Sequence, residues 1–284
     1  MINMKFDFHF HSLFSDGSET VDSIFKMAAE QGVKALALAD HDTVLGIPQE
    51  AEASLRYGIP YLPAAEFTAQ QDGIRFHVLG YGIDAQNAVL QSYSHELLDC
   101  MNRRSLRQIA LMQQNGIAID TEAFFARSGG GPLYRAKLLG VLADFGYLDK
   151  HNIMQLLPEY FGKEKPYYME DTFAYRNFEE ISSMIHQSGG VVVLAHPGKI
   201  KKKNRALYDK LLQSPLIDGV EVYHPQNSDE VRAELLSVAK ARNLIYTGGT
   251  DFHGNYMKIP LQVGDVELPQ ACFEYLRPYL RGAD

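Results

Sequence analysis

The chain has 284 residues, 46% hydrophobic and 22% charged, with a formal net charge of −8. That balance excludes a disordered, collagen-like or low-complexity protein, and the acidic excess argues against a general nucleic-acid coat while leaving room for a local basic groove. The two cysteines, Cys100 and Cys272, read as reduced thiols in a chain too large to need stapling; Asp7 and His9 interrupt any export signal, and no apolar run approaches a membrane span, so the expected location is the cytoplasm.

Short apolar runs alternate with helical patterns. The predicted strands are Lys5–Phe10, Lys34–Ala39, Ile59–Ala65, Arg75–Tyr81, Gly190–Ala195, Gly219–Tyr223, Leu244–Gly248 and Leu261–Val266. Several are continuously apolar, as in strands buried on both faces of a parallel sheet. After the first run, Val21, Ile24, Phe25, Ala28 and Ala29 share one helical face, with Thr20 as N-cap and Gly32 as stop. The alternation breaks at residues 87–174, which read as two or three short helices punctuated by Gly129-Gly130-Gly131-Pro132. Strands resume after Asn177 and Glu180, spaced as a capping box, and Ser228 caps a later helix. The expected organisation is an α/β core from 1–86 and 175–284, with 87–174 inserted; the length suits one β/α barrel carrying an insertion.

Of ten histidines, seven follow or finish a predicted strand: His9, His11, His41, His77, His196, His224 and His253. In β/α folds the carboxyl ends of the strands share one face, so residues distant in the chain converge there. His9 and His11 are two apart in an extended strand and point the same way. Asp16 follows in a polar turn, Glu66 ends the third run, and Asp251 stands two before His253. Each piece alone reads as a turn, a cap or a solvated carboxylate. Together His9, His11, His41, His77, His196 and His253, with Asp16, Glu66 and Asp251, form a thiolate-free donor set suited to two or three Mn, Fe or Zn ions with open positions. Three divalent ions against three carboxylates leave about +3, which favours an anionic, phosphate-bearing substrate.

The motifs His9-Phe10-His11-Ser12, Ser15-Asp16-Gly17, Ala39-Asp40-His41-Asp42, Glu66, His77-Val78-Leu79-Gly80-Tyr81, Ala195-His196-Pro197 and Thr250-Asp251-Phe252-His253 resemble those of the PHP family, the polymerase and histidinol phosphatase domain. The resemblance covers about 1–85 and 175–284. It implies a distorted (β/α)7 barrel with a helical insertion and a trinuclear metal site. One ion would take His9, His11 and Asp251, a second His77 and His196, with Glu66 bridging the two; a third would take Asp16, His41 and His253.

The insertion and the segment Gly219 to Pro225 resemble the nucleotide phosphatase branch, whose members hydrolyse nucleoside monophosphates or 3′,5′-bisphosphates, some trimming short RNA from the 5′ end. That implies Arg176 and His224 as the residues holding the substrate phosphate. Where the branch often has Arg-Pro-His, this chain has Gly131-Pro132-Leu133, so a substrate contact is lost or Arg135 supplies it differently. The expected reaction is in-line attack on phosphorus by a hydroxide shared between two ions. Asp40 and Asp42 either orient imidazoles or cap loops, and Glu221 is either a further carboxylate of the metal cluster or the last residue of its strand. The run from Lys199 to Arg205 reads as a solvated loop more readily than as a polyanion contact. His95, His151 and His186 read as surface residues. Competing readings are histidinol phosphate as substrate, an amidohydrolase-type enzyme, and a non-catalytic metal-binding module. No membrane and no stable protein partner is implied.

Overall fold

The computed structural model describes residues 4–149, 153–170, 172–257 and 261–282. Strands β1 (Lys5–Phe10) and β2 (Val33–Leu38) pair in parallel, and β3 (Ala64–Gln71), β4 (Ile74–Tyr81), β5 (Val191–Leu194), β6 (Gly219–Tyr223) and β7 (Ile245–Gly248) form a second, five-stranded sheet in that order. This is a mixed α/β fold. Backbone bonds join the two sheets. On one side Leu62 N donates to Leu36 O (2.8 Å) and Asp42 N to Glu66 O (2.9 Å). On the other, His11 N donates to Phe252 O and Asp251 N to His9 O, both at 2.8 Å.

Two expectations are corrected. The strands are not all parallel: β3 runs antiparallel to β4, and β4 antiparallel to β5, while β5, β6 and β7 are parallel. The cause is the two-residue turn Asp72-Gly73, both at positive φ (50° and 79°), a hairpin connection whose twist matches the strands it joins. Leu261–Val266 is not a strand. Asp265 accepts from Gln262 N (2.8 Å), Gly264 turns at φ 84°, and Val263 is buried as loop-borne core instead.

Helix α1 (Val21–Glu30) starts at Thr20, whose hydroxyl accepts from Ser23 N, and buries Val21, Ile24, Phe25 and Ala28. α2 (Ile47–Tyr57) follows β2. Residues 88–161 hold no strand among those described. They form α3 (Ala88–Gln114), α4 (Thr121–Arg127), α5 (Arg135–Asp144) and α6 (Ile153–Phe161). α3 alone is one helix of 27 residues, where two or three short helices were expected for the whole of 87–174, because no glycine or proline interrupts it. These helices share their own apolar cluster, including Ile109, Met112, Phe124, Leu138, Leu142 and Phe161.

The capping box at Asn177 and Glu180 opens α7 (Phe178–Gln187). α8 (Pro197–Lys203) and α9 (Arg205–Gln213) follow β5, α10 (Asp229–Arg242) follows β6 with Ser228 as cap, and α11 (Gln270–Leu276) closes the chain. Phe178, Ile181, Ile185, Leu207, Leu211 and Leu235 pack against Phe76, Val78, Val192 and Val220 of the sheet. A second core beneath it holds Phe6, Phe8, Ala35, Ala37, Leu79, Val193 and Leu276. The strands are thus pinned from both faces, and their ends are fixed in space. No helix among the described residues is long and apolar enough to cross a membrane.

Candidate metal centre

The ends of β1, β2, β5, β6 and β7 meet over the β3–β4 hairpin. There the structure gathers all nine of the expected donors. Glu66 is at the middle and is buried. Its Oε1 lies 2.8 Å from His196 Nε2 and 3.1 Å from His77 Nδ1; its Oε2 lies 3.1 Å from His41 Nδ1 and 3.4 Å from both His9 Nε2 and His11 Nε2. The hairpin explains the first set: His77 pairs with Thr68, and Thr68 is two residues from Glu66, so both side chains stand on one face as a diagonal pair. Asp251 Oδ1 is 3.2 Å from His11 Nε2 and 3.7 Å from His9 Nε2. Asp16 Oδ1 is 3.4 Å from His253 Nε2, and its Oδ2 is 3.7 Å from His41 Nε2.

Donor atoms within 4.8 Å of one another define overlapping groups: His11, Asp16, His41 and His253; His9, His11 and Asp251; His9, Glu66 and His196; and His41, Glu66 and His77. A fifth group joins His9 to Glu221 and His224. Glu221 Oε1 accepts from His9 Nδ1 (2.7 Å) and Oε2 from His196 N (2.6 Å), which turns His9 Nε2 toward Glu66. Two further carboxylates hold the loops. Asp7 accepts from Thr250 N (3.0 Å), Thr250 Oγ1 (2.7 Å) and Gly264 N (2.9 Å), tying β1 to the segment that carries Asp251. Asp40 accepts from Ser12 N (2.8 Å), Ser12 Oγ (2.6 Å) and Ser15 Oγ (2.5 Å), fixing the turn that carries Asp16. Asp42 accepts from Thr68 N and Oγ1.

The protonation pattern fits a cation. Burial works against ionisation of Glu66, Asp16 and Asp251, yet neighbouring imidazoles, and Lys199 beside Asp251, hold all three below the usual carboxylate range. Burial pushes His11 and His196 down to about 3, leaving the neutral imidazole that ligates metals. Burial also disfavours charge on His253, but Asp16 and Asp251 raise it to about 9, a compensation that a divalent ion supplies equally. His9 Nε2, Asp16 Oδ1, His41 Nδ1, Glu66 Oε2 and His196 Nδ1 are buried without a hydrogen-bond partner. Four of these atoms belong to the close donor contacts above. Unsatisfied buried atoms are costly in a folded protein, and a cation among them removes that cost. Strain points the same way: His196 (φ 28°) and Asp251 (φ 54°) sit in the left-handed region, which non-glycine residues avoid unless the surroundings impose it.

The cluster is not sealed. His9, His11 and His224 are fully buried, whereas Asp16, His41 and His77 line a cavity of about 400 Å³ shared with Arg75, Arg104 and Arg135. Two other expected residues are placed differently. His224 is inside the cluster, with Nε2 3.1 Å from Asp251 Oδ2 and Nδ1 accepting from Gln226 N (3.1 Å), so its proton lies on Nε2 and is donated to Asp251. Arg176 does not reach the cluster among its described contacts: its guanidinium stacks 4.8 Å over the Tyr93 ring, its Nη1 contacts Met184 Sδ, and it lines a separate groove with Asn177 and Glu180. Its neighbour Tyr175 faces the cavity instead.

The basic run is largely consumed locally. Lys201 pairs with Glu234 and Arg205 with Asp209, while Lys199 Nζ lies 3.6 Å from Asp251 Oδ2. His95 is exposed, His186 pairs with Asp218 at 2.7 Å, and His151 lies outside the described residues. What the sequence reading missed is Lys199 as a neighbour of the cluster and Arg75 and Arg104 as cavity residues. The i, i+2 spacing of Arg75 and His77 on one strand was a usable signal.

Buried imidazoles and carboxylates converging at the ends of α/β strands, open to one cavity, define a metal-dependent hydrolase. The chain belongs to the PHP domain family, whose domain matches residues 7–218. It is 28% identical to the phosphoribosyl 1,2-cyclic phosphate 1,2-diphosphodiesterase of Eggerthella lenta, over 89% of this chain and 96% of that one. It is 28% identical to the 3′,5′-nucleoside bisphosphate phosphatase of Chromobacterium violaceum (87% and 86% covered) and 26% identical to the 5′-3′ exoribonuclease Rnm of Escherichia coli (87% and 85%). Among solved structures, a metal-dependent phosphoesterase from Bifidobacterium adolescentis superposes with a TM-score of 0.84 at 27% identity, over 99% of this chain and 97% of that one. A Chromobacterium violaceum protein described as an amidohydrolase, with bound sulfate and no metal, superposes at 0.80 and 26% identity, over 99% and 98%.

Proposed function

We propose that this chain hydrolyses phosphate esters of nucleotides, a nucleoside monophosphate, a bisphosphate or the 5′ end of a short RNA, with two or three divalent Mn, Fe or Zn ions. The observation that carries the proposal is the Glu66 carboxylate, both oxygens of which lie within 3.4 Å of imidazoles from different parts of the chain. The proposed ligands are His9, His11 and Asp251; His77 and His196, with Glu66 between the two groups; and Asp16, His41 and His253. Bound ions would supply Lewis acidity: an acidified water as nucleophile and compensation for charge on the phosphoryl oxygens.

The chain's own residues prepare that site. Glu221 orients His9, His224 donates to Asp251, and Asp7 and Asp40 fix the two segments that carry Asp251 and Asp16. Burial of His9 and His11 excludes bulk water from the floor, while His41 and His77 face the cavity that admits substrate. No role is proposed for Arg176. The names of the relatives support the substrate class, since all three concern phosphate esters of ribose or nucleotides, and the sulfate in a structural neighbour supports an anion site. The same reading takes the fold as a distorted (β/α)7 barrel with 87–174 as a helical insertion; the backbone bonds joining β1 to the end of β7 and β2 to β3 support closure.

The test is phosphate release with added Mn across nucleotides, cyclic phosphates, sugar phosphates and histidinol phosphate. Nucleotides are expected to react fastest, and His196→Ala to abolish release while lowering bound metal. Metal-loaded protein that releases no phosphate from any nucleotide yet opens cyclic amides would overturn the proposal.

A further inference from the structure

His9, Glu66 and His77 stand inside β1, β3 and β4, where strand pairing fixes them. Asp16, His41 and His253 stand beyond the ends of β1, β2 and β7, where pairing gives way to loops. All three of those loops are met by one arm of the helical region, the segment 121–144 that runs from α4 through α5.

Lys137 of α5 makes the first contact. It is fully buried, and its ammonium faces three backbone carbonyls: Leu13 O, Pro132 O at 3.0 Å and Ser128 O at 3.4 Å. A buried ammonium is costly unless hydrogen-bonded, and its three N–H donors have three acceptors here. Two acceptors belong to the arm's own loop. The third belongs to the turn around Asp16, which Leu13 N closes onto Glu19 O (2.9 Å) and Gly17 N onto Ser12 O (3.0 Å). Lys137 therefore pins the arm to the turn. Gly131 shows how closely they lie: a Cβ there would be 3.0 Å from Phe14 Cα.

Tyr134 makes the second contact. Its hydroxyl donates to His41 O (2.7 Å), and its ring stacks on the His41 imidazole with centroids 6.4 Å apart. Arg127 makes the third. It pairs with Asp144, cross-linking α4 to α5, and its Nη1 donates to the hydroxyl of Tyr256 (3.2 Å), three residues past His253. Tyr256 is packed into the arm's apolar cluster. The arm is itself held by α3, where Asn102 Oδ1 accepts from Leu133 N (2.9 Å) and Ser105 Oγ donates to Leu133 O (2.5 Å).

We infer that the α4–α5 arm is the positioning element for the ion assigned to Asp16, His41 and His253, acting through Lys137 and Tyr134, and that loosening either contact lowers affinity for that ion selectively. This rests on the ligand assignment proposed above. Lys137 and Tyr134 touch backbone carbonyls beside the donors, so they act through the loops and not on an ion. Coupling of this kind is reciprocal: if the ordered arm favours the ion, the ion must in turn order the arm.

The experiment uses the full chain, stripped with EDTA and titrated with Mn. Calorimetry with counting of bound Mn separates the classes of site, and Asp16→Ala identifies the class in question as the one it removes. Amide hydrogen exchange over 121–144 reads the arm. In the wild type, Mn is expected to slow that exchange, and Asp16→Ala to abolish the slowing. Lys137→Met is expected to weaken the Asp16 class by about tenfold or more, the scale seen when a group orienting a ligand is lost, with the remaining affinities unchanged. Tyr134→Phe removes one hydroxyl and keeps the ring; it is expected to weaken the same class severalfold, and it carries the test if Lys137→Met does not fold. Equal weakening of every class, or a lower melting temperature with all affinities unaltered, would make the arm a brace of the fold and overturn the inference while the metal reading stands. A wild type that binds no divalent ion overturns the metal reading itself, and this inference with it.

Discussion

Glu221 shows how one side chain can govern a centre without being among its nine expected donors. Its two oxygens accept from His9 Nδ1 and from the backbone N–H of His196. A carboxylate accepts both bonds; an amide presents one acceptor and one donor, so Glu221→Gln leaves one of those groups facing a donor. Partners that orient a ligating imidazole are typically worth 10–100-fold in metal affinity. Glu221→Gln is expected to weaken Mn binding by about tenfold or more, read by metal titration of the purified chain, while the melting temperature changes little. Unaltered metal affinity would place Glu221 in the framework only. The sequence left its role open, because a single polar residue has no periodic signature; Glu221 was a candidate for the last residue of its strand, whereas it is the middle one of β6. Its partner is 212 positions away, and only the fold brings them together.

At the scale of elements, legibility followed local chemistry. Thr20, Asn177 and Ser228 were readable as caps because a cap is a short-range bond between one side chain and a nearby N–H, and all three are caps in the structure. The antiparallel hairpin was equally local, written in Asp72-Gly73, but the strand before it was expected at Ile59–Ala65, short of the turn, whereas β3 runs Ala64–Gln71 up to it. What no local pattern carries is how closely strands pass each other. Gly249 is the example. A Cβ placed there would lie 2.4 Å from His9 N and 2.5 Å from His9 Cβ, so β1 and the segment after β7 approach only because position 249 has no side chain. Gly249→Ala forces the backbone of His9 away from Asp251. Overpacking of this kind costs about 1–3 kcal/mol, and a displacement near 1 Å at a reacting centre costs about 100-fold in rate. The variant is expected to melt several degrees lower and to release phosphate at about one hundredth of the wild-type rate. Wild-type melting together with wild-type turnover would show that the two segments separate freely.

For the whole molecule, the centre is a liability as well as a site. Residues spanning positions 9 to 253 place three carboxylates and six imidazoles in one largely buried patch, and Glu221, His224 and Lys199 offset that concentration of polar groups only at His9 and Asp251. The unfolded chain scatters the same donors and has no comparable affinity for an ion. Binding that favours the folded state therefore adds to stability as RT ln(1 + [L]/Kd), about 2.7 kcal/mol at one hundred times Kd. For a chain of this length that raises the melting temperature by roughly 5–10 °C. Added Mn, Fe or Zn is expected to produce such a rise in a thermal melt, EDTA to reverse it, and His11→Ala, which removes a donor shared by two of the groups, to diminish it. The same dependence explains why the pattern was visible in the sequence at all. Residues that must meet at strand ends recur after apolar runs, so the donors could be picked out one strand at a time, while Arg104 on α3, where no donor motif marks the position, could not. A melt indifferent to every divalent ion would mean that the imidazoles and carboxylates compensate one another by proton sharing alone, and the centre would then be a structural knot of hydrogen bonds rather than a seat for metal.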